Sequence, residues 1–120
     1  MSGCECQAVQ ATVAEIGAWL AAYEAHVREL VFTWLDMELY RTVSDEVDAI
    51  RALCAERPEL SVPWVAMLVS HAELVHCLWR RGQPGQRPDS GELQQRLREH
   101  LQCIARLAER SRAPGAADAG

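Results

Sequence analysis

Residues 13–37, VAEIGAWLAAYEAHVRELVFTWLDM, carry Val13, Ile16, Leu20, Tyr23, Val27, Leu30, Trp34 and Met37 at alternating steps of three and four. That spacing lays one apolar stripe along a helix and forms a heptad seam. No proline interrupts the stretch and Gly17 is its one weak helix former, while Glu15, Glu24, Arg28, Glu29 and Asp36 fall on wetter faces. The periodicity predicts a single long helix from Gln7 to Tyr40.

Beyond it the pattern slips. Polar Arg41 and Ser44 occupy the seam, and the apolar residues resume out of phase at Val43, Val47, Ile50 and Cys54, with Leu53 beside them. The helix therefore bends here or gives way to a second one, for which Thr42, Ser44 and Asp45 are competent caps. Glu56-Arg57-Pro58 ends that segment, because proline cannot continue a helix interior. Ser61 followed by Val62 and Pro63 reads as the entry to a third helix that runs to about Arg81.

The third helix has two apolar rows. Val65, Leu68, Val69, Ala72, Val75 and Trp79 form one; Trp64, Met67, His71, Leu74 and Leu78 form the other; Ser70, Glu73, Cys77 and Arg80 make a narrow polar stripe. Such a helix is expected to be covered on two sides. The breaker-rich GQPGQRP at residues 82–88 predicts a loop, and Asp89 with Glu92 predicts a capping box. Leu93, Leu97, His100, Leu101, Ile104, Leu107 and Ala108 then mark one face of a fourth helix ending near Arg112.

The expected fold is all-α: a small, dimeric bundle of about four helices with a long N-terminal helix. A frayed, disordered start (residues 1–6), one helical domain (7–112) and a disordered tail (113–120) divide the chain. Composition agrees, since the 120 residues are 49% hydrophobic, rich in helix formers, and contain neither Lys nor Asn. A chain this short builds one core, and it has no uninterrupted apolar run near the ~20 residues of a membrane span. The net charge of −5 argues against direct nucleic-acid binding and against anionic membranes. An odd cysteine count of five, with no leader-like start, points to free thiols in the cytoplasm.

Two features point to protein partners. A helix from Gln7 to Tyr40 is about 50 Å long, whereas a compact chain of this size has a radius of gyration of about 14 Å. Its oily end, with Phe32, Trp34, Leu35, Leu39 and Tyr40, is expected to contact a second copy or a partner. The row Trp64, Met67, His71, Leu74 and Leu78 reads as core or as a recognition face. Charge is also divided: four arginines against twelve acids up to Trp79, then eight arginines against four acids from Arg80 to Arg112. Antiparallel packing of complementary surfaces explains this, as does steering toward an acidic partner.

Chemical constellations are sparse. Glu73 and His76 have the E-x-x-H spacing of di-iron bundles, but a second copy and two further carboxylates are missing from the pattern. Glu73, Cys77, His100 and Cys103 would suit zinc if the third and fourth helices are neighbours, which keeps a metal-binding or redox-sensing bundle as the alternative function. Cys4 and Cys6 form a C-x-C pair on an expected mobile end. Cys103 beside His100 lacks the oxyanion donors of a nucleophilic site, and GQPGQ lacks the Lys and Ser or Thr of a phosphate loop. No enzyme is expected.

The segment Val65–Trp79, VAMLVSHAELVHCLW, resembles the corresponding helix of the bacterial quorum-sensing antiactivators of the TraM type, through Met67, His71, Ala72 and Leu74. In length and composition the chain is similar to the QslA type, although it continues into GQPGQRP and a further helix. The resemblance implies a homodimer that binds a LuxR-type transcription factor and blocks its dimerisation or DNA binding, without cofactor or reaction. A secretion chaperone or adaptor would share the same surface physics.

Overall fold

The computed structural model describes residues 2–33, 35–83 and 90–112, with side chains from Val13 onward except that of Ser90. Among these residues four α-helices form two antiparallel hairpins. The first joins α1 (Ser2–Phe32) to α2 (Met37–Cys54); a single 3-10 turn, Pro58–Leu60, leads to the second, α3 (Ser61–Arg81) and α4 (Ser90–Arg112). Within the hairpins α1 lies on α2 and α3 on α4, and the hairpins meet chiefly where α1 packs on α4.

The heptad seam is where the core begins. Ile16, Leu20, Tyr23, Val27 and Leu30 are buried along α1; Val43, Val47, Ile50 and Cys54 face them from α2; Met67, Leu74, Cys77 and Leu78 come from α3, and Leu93, Ile104 and Leu107 from α4. Burial of a large apolar side chain stabilises by about 1.5–3 kcal/mol, so these rows decide the register of both hairpins.

The single helix expected from Gln7 to Tyr40 is interrupted at Thr33–Asp36. The Thr33 N–H still reaches the Glu29 carbonyl, but the Leu35 N–H falls back to Leu30, and Leu35 takes a positive φ of 67°. This six-residue closure is a wider turn than the α-helix, and it satisfies the Leu30 carbonyl that a continuing helix would bond one residue earlier. Asp36 then caps α2: its carboxylate accepts from the Leu39 N–H at 3.0 Å, with Glu38 in the first turn. The phase slip at residues 41–45 is thus the aftermath of a turn several residues earlier, and α2 passes through Thr42, Ser44 and Asp45 without a break.

Other boundaries shift as well. Helix α1 begins at Ser2, inside the segment expected to be disordered. Ser61 is the first residue of α3 rather than its cap; Pro58 opens the preceding turn and fully buried Leu60 anchors it. Gly82 closes α3 by donating to Arg80 and Trp79 carbonyls, while most of the expected loop, the Asp89 half of the capping box and the 113–120 tail lie outside the described residues.

With principal extents of 62 × 29 × 17 Å and a radius of gyration of 16.2 Å, the bundle is elongated. Helix α1, about 46 Å at 1.5 Å per residue, therefore fits along its own subunit. The mismatch of length that called for a second chain is removed by this shape.

Candidate functional site

Two regions of the bundle stand apart from ordinary packing, and α3 contributes to both. The first is a buried polar cluster at mid-bundle. Tyr23 on α1 points its hydroxyl between two imidazoles, His71 Nδ1 on α3 and His100 Nε2 on α4, each 2.6 Å away. On the far side of His100, Nδ1 meets Ser70 Oγ at 2.7 Å, and Ser70 donates to the Met67 carbonyl at 2.9 Å.

That last bond sets the direction of the rest. With the Ser70 proton on Met67, His100 Nδ1 donates to Ser70 and His100 Nε2 accepts from Tyr23. The Tyr23 oxygen then receives the His71 Nδ1–H. Both rings are neutral, in the Nδ1–H tautomer, and every polar atom of Tyr23, Ser70 and His100 has a partner. Burial, followed by the proximity of His71, pushes the His100 pKa down to about 3, and burial lowers that of His71. Burial and the nearby Glu46 carboxylate raise the Tyr23 phenol far above its ordinary value.

A neighbouring pair belongs to the first hairpin: buried Glu46 accepts from His26 Nδ1, at 2.8 and 3.0 Å to its two oxygens. Together these contacts tie α1 to each of the other three helices. Chemically the cluster is a short chain of neutral donors and acceptors, and Tyr23 and His100 are fully buried.

The second region is the outer face of α3. Val62, Val65, Val69 and Trp79 are 78%, 52%, 51% and 53% exposed, and Ala72 and His76 between them are exposed too, the His76 ring stacking on Trp79. This inverts part of the sequence reading. Ser70 and Cys77 of the supposed polar stripe turn inward, while Val65, Val69, Ala72 and Trp79 of the first apolar row turn outward; among the described residues one side of α3 is covered. Taken with the preceding turn, Pro58–Arg81 is by length and composition long and apolar enough for a membrane span, but it is a core helix along its inner side.

The expected site residues separate. In the first patch Phe32 is exposed, Leu35, Leu39 and Tyr40 pack half-buried on the core, and Trp34 lies outside the described residues. In the second, Met67, Leu74 and Leu78 are buried, Trp64 is half-buried, and His71 is engaged by Tyr23. The row weighed as a recognition face is therefore the inward one.

The zinc constellation is not assembled. Glu73 pairs with Arg96 at 2.8 Å, Cys77 is buried with its thiol pKa raised by burial, His100 spends both nitrogens in the cluster, and Cys103 is half-buried. Among the described residues no three His, Cys, Asp or Glu converge. Part of the charge division is used between helices, since Arg96–Glu73 and Arg80–Glu92, each at 2.8 Å, both cross from α3 to α4.

The sequence reading missed the cluster. Its signal was present: Tyr23 and His100 each occupy a core position within an apolar row, and a polar tip at such a position requires a partner across the interface. Comparison of the chain with family models, with curated proteins and with solved structures finds no match.

Proposed function

We propose that the protein is a non-enzymatic, protein-binding regulator, and that it acts in the cytoplasm as an antiactivator that sequesters a LuxR-type transcription factor and blocks its dimerisation or DNA binding. The observation that carries the protein-binding reading is the uncovered apolar face of α3. A row of valines ending in tryptophan, at helical spacing, on a helix whose other side is held by a closed hydrogen-bonded cluster, is a rigid surface suited to another polypeptide. The antiactivator form rests on the resemblance of Val65–Trp79, which contains this same face. Homodimerisation belongs to the same proposal, with Phe32 and Met37 at the exposed α1–α2 turn as its candidate contacts.

The test is a reporter driven by a LuxR-type factor, with the wild-type chain or the double variant Val65→Glu, Val69→Glu supplied in trans. Both positions are half exposed, so the variant is expected to keep its helical circular dichroism and melting temperature. Repression by the wild type and its loss in the variant support the proposal. Equal reporter output with wild type, variant and empty vector would sink it.

A further inference from the structure

We infer that the outer face of α3 receives an amphipathic helix of another protein, one that carries an apolar row at steps of three and four and carboxylates along its flank. The inference rests on the protein-binding reading and names the chemistry of the partner.

Val62, Val65, Val69, Ala72, His76 and Trp79 follow one another at steps of 3, 4, 3, 4 and 3, so they form a straight exposed seam. It is about 26 Å long at 1.5 Å per residue. These side chains expose on the order of 500 Å², about 1,000 Å² with a complementary partner, which reaches the lower bound of a specific interface. Helices that bind such seams do so through anchors at i, i+3, i+4 and i+7.

At its N-terminal end the seam opens into a groove of about 260 Å³ between α3 and α4, lined by Val62, Pro63, Ala66, Arg106, Glu109 and Arg110. This is below the ~300–1,000 Å³ of small-molecule sites and suits one or two anchoring side chains of a docked helix.

Charge selects the occupant. The other charges facing across α3 and α4 are matched in the pairs Glu73–Arg96 and Arg80–Glu92. At the groove, exposed Arg106 and Arg110 face a single carboxylate, Glu109, and form no ion pair among the described residues. A second copy fits this poorly. The one carboxylate that the α3 of a second copy could bring to the groove is Glu73, and Arg96 already holds it at 2.8 Å. A foreign helix with acidic flanks meets the same seam with attraction.

The experiment uses the full chain and two synthetic amphipathic helices with an identical leucine row, one flanked by Glu and the other by Lys. Binding is read by titration calorimetry and by backbone amide NMR shifts. The acidic helix is expected to bind about tenfold tighter than the basic one, with the largest shifts at Val65, Val69 and Ala72. The double variant Arg106→Glu, Arg110→Glu, at two exposed positions, is expected to reverse that preference. Equal affinities, or shifts elsewhere on the surface, overturn the inference. So does self-association in sedimentation that Val69→Glu abolishes, or co-sedimentation with neutral phosphatidylcholine vesicles that Val69→Glu abolishes. If the peptides do not discriminate while the reporter effect of Val65→Glu, Val69→Glu persists, the acidic flank is wrong and the protein-binding reading stands; loss of both removes the reading itself.

Discussion

The inner and outer faces of α3 are both largely apolar, against the usual rule that the solvent side of such a helix is polar. The inner face holds Met67, Leu74 and Leu78 but also Ser70, Cys77 and the inward edge of His71; the outer face holds three valines, an alanine and a tryptophan. Polar atoms are admitted to the interior because each finds a fixed partner there, and apolar side chains are left outside because nothing among the described residues reaches them. The comparison teaches that hydropathy alone does not decide which side of an amphipathic helix is buried. A small side chain that admits a neighbouring helix, and a polar tip that meets another polar tip, can outweigh a valine row.

The largest effect comes from exchanging equivalent truncations between the two faces. Leu74→Ala, at a fully buried position, is expected to cost about 2–5 kcal/mol, whereas Val69→Ala on the outside is expected to change stability by less than about 0.5 kcal/mol. Denaturant titration measures both, and similar losses would show that the outer face is covered in solution.

A second way to sharpen the contrast is acid. In the unfolded chain an imidazole takes its proton near pH 6.5, whereas His100 in the folded chain resists protonation until about pH 3. Between these values the unfolded state binds more protons, so stability falls as pH is lowered through this window, by up to about 1.4 kcal/mol per pH unit for the one group. His71, lowered in the same direction, adds to the loss. His100→Gln is expected to flatten the dependence of stability on pH between 3 and 6.5; an unchanged slope would remove His100 as its source.

The smallest of the three concerns the turn that closes the first hairpin. Asp36→Ala removes the bond to the Leu39 N–H and is expected to cost about 1 kcal/mol, with unchanged thermal stability contradicting its role as the cap of α2.

Much of the bundle was legible because burial follows periodicity. Ile16 to Leu30, Val43 to Cys54 and Leu93 to Leu107 lie in the core as their spacing predicts. The break at Thr33–Asp36 was hidden because the apolar steps run straight through it: Trp34 and Met37 keep the seam's rhythm although Met37 stands 62% exposed at the start of another helix. A positive φ at a leucine is not announced by composition, which reserves that conformation for glycine or asparagine. The choice between the two sides of α3 was hidden for a different reason, since both rows have the same period and only the positions of Tyr23 and His100 across the interface select one. Of the expected contact residues, the structure therefore keeps Phe32 at the surface and withdraws Met67, Leu74 and Leu78 from it.

The Tyr23–His71–His100–Ser70 chain carries no net charge, and this bears on how the two hairpins respond to electrolyte. Ions screen the exposed pairs Arg28–Glu24 and Arg51–Asp48 and weaken the pairs between α3 and α4, but a largely buried run of neutral donors and acceptors offers them nothing to screen. Molar sodium chloride should leave the seating of one hairpin on the other intact, and a mutant that relied on an ion pair in the same place would lose that indifference.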